Sequence, residues 1–426
     1  MYFRGKKLMI LGGNAETGVL VETANSMGIY TIVVDPNPES PAKKKSSKSY
    51  NVDGMDVPGL VDVARKENVD GILVGVADIL VESYQKICER LGFPCYASES
   101  IIRSLTRKDC FREICSEYGV KGIPIYNLDS NLNQEDLEKI KYPVMVKPID
   151  NGGGVGMSIC SNENELKNGI KLALKNSLKK IFMVERYMTC DDMLAYYTFK
   201  DGEAYLSAIA DRITTKEQGK TSPVCIAATY PSKHVDEYFR NIHPNMCRLF
   251  KGIGIKNGVL NVQFFVEDGR FYAYDPGFRL QGEAPHLIIN AVNGFDHRKM
   301  LINYALTGSM GIDDLSVRND YLLKGKYAGS LWVLLKEGRI GKISGLIELE
   351  NDPDVIFVMK RFQEGDFVTK SMVGTERQVL ARIYVVCDSK DQYIDKIKKI
   401  EQRLDIRDES NVNMVLTLFN PELAWN

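Results

Sequence analysis

Hydrophobic and polar positions in the first hundred residues alternate between two periods. Residues 7–11 (KLMIL) form a continuous apolar run that meets Gly12-Gly13, and residues 15–27 then carry helical spacing. Residues 30–34 (YTIVV) are β-branched and end at Asp35-Pro36-Asn37-Pro38, which predicts a strand closed by a turn. Residues 57–67 read as helix, 71–76 (GILVGV) as strand and 79–91 as helix. Short buried strands separated by helices predict a doubly wound parallel sheet. Residues 101–120 predict an amphipathic helix, and the turn-rich Gly122-Ile123-Pro124 follows it.

Beyond that turn the pattern changes. Residues 142–160 (YPVMVKPIDNGGGVGMSIC) read as an apolar strand, a glycine-rich loop and a second strand. Residues 163–178 then read as helix and 181–185 (IFMVE) as strand. Two antiparallel meanders are predicted at 193–210 and 258–275, with Asp201-Gly202 and Asp268-Gly269 at their turns. From about 325 several short strands and one helix near 390–403 predict a small α+β unit, with turns at Glu337-Gly338, Asp352-Pro353 and Glu364-Gly365. The expected organisation is therefore a doubly wound α/β domain over 1–100, a middle region over 101–324 with a lobe at about 121–190, and an α+β unit over 325–426.

Composition narrows the function classes. The chain has 426 residues, 44% hydrophobic and 26% charged, and its formal net charge is −1. That balance supplies no global field for nucleic acid or anionic membrane, so neither is an expected partner. Any phosphate chemistry must be local. The nine cysteines are scattered without a C-x-x-C, and the four histidines lack metalloprotease spacing. Reduced thiols in a cytoplasmic protein are expected. The apolar run at 8–11 is too short for a signal peptide, and no run is long enough to span a bilayer. The lysines at 43–45 read as a solvated loop.

Three segments carry candidate chemistry. Lys147 ends a strand just before Gly152, Gly153, Gly154 and Gly156. Glycines let backbone N–H groups approach phosphate oxygens, and an ammonium beside them adds a point charge. This is not the P-loop, because G-x-x-x-x-G-K-[ST] is absent. The second segment, IFMVERYM (181–188), ends in Glu185, Arg186 and Tyr187. The third, LNVQFFVEDGRFYAYDPGFRLQG (260–282), reads as two antiparallel strands that set Gln263 opposite Asp275. An amide and a carboxylate oxygen are hard ligands suited to Mg²⁺, and Arg279 four residues on can meet the same phosphates.

The order of these pieces resembles the ATP-grasp superfamily: a helix with Lys108, the strand with Lys147, a glycine loop, a hinge strand at Glu185, and a Gln…Asp…Arg segment. The third segment is similar to the metal-binding segment of carbamoyl-phosphate synthase large subunits. RKDCF (107–111) looks like the family's basic nucleotide-contacting stretch, and GGNAETG with VVDPNPES like its preceding domain. The tail is similar to the C-terminal domain of single-subunit amino-acid ligases.

The resemblance implies a two-lobed ATP-grasp domain and an ATP-dependent ligase that activates a carboxylate as an acyl phosphate for attack by an amine. It implies that Lys108 and Lys147 contact phosphates under a mobile flap of Gly152, Gly153, Gly154 and Gly156. Glu185, Tyr187 and Met188 would hold adenine, and Asp192 the ribose. Gln263 and Asp275 would bind Mg²⁺ (with Mn²⁺ as a substitute), and Arg279 the transferred phosphoryl group. Arg212 and Glu283 would meet the substrate, a structural role staying open for both. The expected partners are small carboxylates and amines, and a twofold homodimer is the favoured assembly. The chain departs from the family's Glu-x-Asn-Pro-Arg pattern in having Asp275, Pro276, Gly277, Phe278 and Arg279, and Gly277 removes an amide ligand. A nucleotide-binding protein with weakened chemistry is therefore the alternative. A nicotinamide oxidoreductase built on Gly12-Gly13 and Asp35 ranks last.

Overall fold

The computed structural model describes residues 3–128, 132–149, 156–215 and 223–425. The N-terminal strands form a parallel sheet in the order Lys48–Tyr50, Tyr30–Val34, Lys7–Leu11, Gly71–Val74. The three long apolar runs are buried nearly throughout, because helices cover both faces. Ala15–Ser26 follows the first strand, with Asn14 accepting from the Thr17 amide at its N-terminus. Val57–Glu67 and Val81–Leu91 complete the unit.

Two sequence expectations are corrected here. The helix expected over 101–120 is two helices, Glu99–Thr106 and Lys108–Glu117, because Arg107 is extended (φ −88°, ψ 116°) and pairs with Asp109 across the break. No glycine or proline marks the break, which places Lys108 in the first turn of the second helix. The lysine run at 43–45 is not a solvated loop. It lies in the short helix Pro41–Lys45, where Lys43 is buried and donates to Asp35 O (2.5 Å) and Asn51 Oδ1 (2.6 Å).

A small antiparallel sheet follows in the order Ile125–Tyr126, Phe182–Arg186, Val144–Pro148, Ser158–Cys160. Helix Glu163–Asn176 packs on it through Leu166, Ile170 and Ala173. The remaining chain builds a nine-stranded sheet in which Glu203–Thr214, Asp191–Lys200, Gly258–Glu267 and Arg270–Gly277 lie side by side. Both expected Asp-Gly turns occur, with positive φ at Asp201 (53°), Gly202 (91°), Asp268 (50°) and Gly269 (69°), as two-residue hairpin turns require.

The tail is not wholly a separate unit from 325 onward. Tyr327–Leu334 pairs with Cys225–Tyr230, and Val379–Cys387 and Val355–Lys360 extend the same sheet. Only Gly338–Ser344, Phe367–Val368 and Asp405–Asp408 make a separate small sheet. Strand periodicity reports which face is buried but not which sheet a strand joins. Among the described residues no helix is long and apolar enough to cross a membrane, and all nine cysteines are free thiols.

Helix Lys390–Arg403 packs on this sheet and carries Glu401, whose Oε1 is buried without a hydrogen-bond partner. Burial pushes its carboxyl up to about 7, opposed by a backbone hydrogen bond from Phe419. A folded value above the unfolded 4.5 favours the protonated form, so its contribution is complete below pH 4.5 and is lost as pH rises through 7. Melting curves should therefore show wild type losing a few degrees, relative to Glu401→Gln, between pH 4.5 and 7. Parallel profiles for the two proteins would contradict this.

Candidate active site

The strand Val144–Pro148 and the N-terminus of helix Lys108–Glu117 bring two lysines into one cleft between the small and large sheets. Lys147 forms an ion pair with Glu185 on the neighbouring strand, both side chains being largely buried. Arg112, one helical turn after Lys108, reaches the other Glu185 oxygen at 3.5 Å. Lys108 makes no hydrogen bond or ion pair among the described residues. Its ammonium is held below the usual lysine range, first by burial and then by the like charge of Lys147, with Asp275 and Glu185 opposing. The cleft is lined by Lys108, Arg112, Lys147 and Glu185, with Tyr274 on its far wall. Lys147 and Arg112 thus share the Glu185 carboxylate, with Lys108 between it and Asp275 in the electrostatics of the cleft.

The next elements are the hairpin strands Gly258–Glu267 and Arg270–Gly277. Gln263 lies opposite Asp275 across them, as the sequence spacing predicts, beside an irregularity in the pairing between Gln263 and Phe264. Asp275 is accessible from the cleft floor, but protein surrounds its carboxylate. Loss of hydration raises its pKa first, with Asp78 adding to the effect and Lys108, Arg279 and Lys147 opposing it. Arg279 follows the hairpin and pairs with Asp78 from the N-terminal unit, while its Nε is buried without a partner. Lys108, Lys147, Gln263, Asp275 and Arg279 therefore converge.

Asn261, Asp78 and Arg112 belong to this surround and were not singled out from sequence. Arg112 had a signal, standing four residues after Lys108 on a helix. Asp78 lies 201 residues from its partner Arg279 and had none. Asn261 faces Gly277 and donates from Nδ2 to Gly277 O at 3.0 Å. A Cβ at position 277 would lie 2.7 Å from Asn261 Nδ2 and 3.0 Å from Arg279 Nη1. The space of the missing family side chain is already filled by Asn261 and Arg279.

Other expected site residues sit differently. Arg212 and Glu283 face each other, with Arg212 Nη2 2.6 Å from Glu283 Oε1 and Nε 3.0 Å from the same oxygen. Arg212 Nη1 also meets Asp192 Oδ2 at 2.5 Å, and Tyr274 donates to Asp192 Oδ1 at 3.0 Å. Burial pushes the Asp192 carboxyl up to about 6 against the pull of Arg212 and Tyr274, with Glu283 adding to the rise. The Tyr187 amide donates to Pro143 O at 3.2 Å, and Met188 is buried beside Ile123 and Tyr272. Gly156 has φ +77° at the turn before Ser158–Cys160, whereas Gly152, Gly153 and Gly154 lie outside the described residues.

The N-terminal glycine turn does not suit a dinucleotide. A Cβ at Gly13 would stand 2.4 Å from Ser40, and Asp35 is spent on Ser40 Oγ (2.5 Å) and the Asn37 amide (2.9 Å). The carboxylate that a ribose would need is committed to its own loop.

Residues 108–310 match the family model described as carbamoyl-phosphate synthase L chain, ATP binding domain. That match covers just under half of the chain, and the segment is similar to the ATP-binding domain of that family. The chain is 25% identical over 276 residues, 63% of its length, to the carbamoyl phosphate synthase large chain of Clostridium beijerinckii, of which it spans a quarter. Two solved structures share its fold across nearly the whole chain. The L-amino acid ligase of Bacillus licheniformis superposes with a TM-score of 0.77 at 17% identity, covering 95% of this chain and 99% of that one. The biotin carboxylase domain of the Hydrogenobacter thermophilus 2-oxoglutarate carboxylase, solved with MgADP and bicarbonate, gives 0.75 at 18% identity, covering 96% and 91%.

Because its space is occupied, Gly277→Asn should not restore a metal ligand. Overpacking beside Asn261 should cost about 1–3 kcal/mol of stability. Urea melts and a Mg²⁺ titration of nucleotide affinity check this, and wild-type stability with a tighter Mg²⁺ requirement would contradict it.

Proposed function

We propose that the chain is an ATP- and Mg²⁺-dependent ligase that joins a carboxylate to an amine. The observation that supports this best is the meeting of cations in the cleft: Lys108 makes no hydrogen bond or ion pair among the described residues, feeling Asp275 and Glu185 only at longer range, and Lys147 and Arg112 share Glu185. A polyphosphate laid there would supply the missing negative charge. The Gln263–Asp275 pair supports the same reading, because two hard oxygen donors leave most of an octahedron to phosphate oxygens and water. The residues therefore fit Mg²⁺, which when bound neutralises phosphate charge and orients the transferred group.

In this reading Lys108 and Lys147 hold the phosphates, with Glu185 and Arg112 fixing the Lys147 ammonium. The chain at Tyr187 and Met188 borders the adenine. A substrate carboxylate oxygen attacks the γ-phosphorus and the bond to the β–γ bridging oxygen breaks, releasing ADP and leaving an acyl phosphate. The amine nitrogen then attacks the acyl carbon, the C–O bond to phosphate breaks, and the nitrogen loses its proton as inorganic phosphate departs. Arg279, whose Nε has no hydrogen-bond partner among the described residues, neutralises charge on the transferred phosphoryl group. We assign Arg212, Glu283 and Asp192 to the cavity wall, since their charges are spent on one another.

ADP release, measured with MgATP against small carboxylates and pooled amines, tests the proposal. A signal requiring both substrates is expected. Arg279→Ala should lower turnover on the order of a hundredfold or more, and Lys147→Ala should weaken MgATP binding by about tenfold. MgATP binding with no turnover on any substrate pair would favour the weakened, binding-only protein. Wild-type rates in Arg279→Ala would overturn the site.

A further inference from the structure

A cavity of about 340 Å³ runs from Gln263, Asp275 and Arg279 to a second end lined by Asn14, Glu16, Arg361 and Glu376. That far end is assembled from the N-terminal helix and the tail, which are more than three hundred residues apart in sequence. Gln281 lies along the cavity, only 4% exposed, and its Oε1 has no hydrogen-bond partner among the described residues. A buried amide oxygen without a donor costs about 1–3 kcal/mol, so this atom is set for a ligand that brings one.

Arg382 fixes the surroundings of that atom. It is fully buried over the Trp332 ring, 4.0 Å from the centroid, and donates to Gly282 O, Glu16 Oε1 (2.9 Å) and Glu376 Oε2 (3.0 Å). One guanidinium thus draws the Glu376 carboxylate to the backbone next to Gln281. Arg361 is engaged as well, with Glu16 and with Glu376 O at 2.8 Å. The Nη groups of Arg361 and Arg382 are engaged by protein acceptors, and Arg382, whose Nε has no partner among the described residues, does not line the cavity. What remains for a ligand is acceptor capacity, in Gln281 Oε1 and in the Glu376 carboxylate, whose side chain is 55% exposed.

We propose that this end is the acceptor-amine site, where Gln281 Oε1 and the Glu376 carboxylate receive the N–H groups of a cationic primary amine. The inference deepens the ligase reading and rests on it. A carboxylate beside a neutral acceptor favours an ammonium over a neutral hydroxyl or an anion; the Glu376 carboxylate takes one proton from it, and the neutral amine is then free to attack the acyl phosphate formed toward the Arg279 end of the cavity. Glu16 and Arg361 shape the floor.

The test titrates ammonium chloride, the twenty common L-amino acids and aliphatic diamines in the ADP-release assay, with N-acetylated and N-trimethylated counterparts as controls. Wild type should respond to at least one free primary amine and to none of the blocked forms. Gln281→Leu removes an oxygen that has no hydrogen-bond partner among the described residues, so the fold should be kept and the melting temperature should stay level or rise. Its KM for the amine should rise by about tenfold or more, with MgATP affinity by calorimetry within about twofold of wild type. Glu376→Gln should raise the same KM. An unchanged amine KM in Gln281→Leu, or wild type that binds MgATP but gains nothing from any amine, would overturn the acceptor site and leave the nucleotide site standing. Failure of wild type to bind MgATP would remove the ligase reading and the acceptor site with it.

Discussion

Lys108, Lys147 and Arg112 meet in one cleft, where Lys147 and Arg112 share the Glu185 carboxylate and Asp275 is the other acidic group acting on Lys108. Lost hydration first, and then the like charge of Lys147, hold the Lys108 ammonium below the usual lysine range. A fold stores such an arrangement only when surrounding structure holds it. Here the small sheet supplies Lys147 and Glu185 on adjacent strands, and the break at Arg107 starts a fresh helix at Lys108. In the proposed reading, this gathering of positive charge is what would draw a polyphosphate into the cleft.

The opposite wall is held by a different device, buried guanidinium groups that spend their donors on protein carboxylates. Arg212 ties Asp192 to Glu283, and Arg382 ties the N-terminal helix to the tail and to Gly282. Removing one partner of such a cluster would strand a buried charge, so the three regions of the chain are coupled through the cavity they enclose. The tail strands add to this coupling by continuing the large sheet. The cavity beyond Arg279 therefore depends on N-terminal, central and C-terminal residues at once.

Much of this was legible in the sequence where the physical signal was local. Apolar runs such as KLMIL and YTIVV announce buried parallel strands, and the two Asp-Gly pairs fix hairpins whose register puts Gln263 opposite Asp275. The convergence of Lys108, Lys147 and Arg279 followed from the resemblance of the motif order. The rest depends on long-range partners. Arg382 meets Glu16 across 366 residues and Arg212 meets Glu283 across 71, and no spacing rule connects them. Gly277 looked like a lost ligand because a sequence shows the missing amide but not Asn261 and Arg279 filling its space. The helix break at Arg107 carried no glycine or proline to mark it.

The most direct test of the central claim is a crystal structure of the protein grown with MgADP. The account predicts the diphosphate between the Lys108 and Lys147 ammonium groups, with the metal between Gln263 and Asp275 and the adenine toward Tyr187 and Met188. Nucleotide bound elsewhere, as at the Gly12-Gly13 turn, with the lysine cleft unchanged, would contradict it.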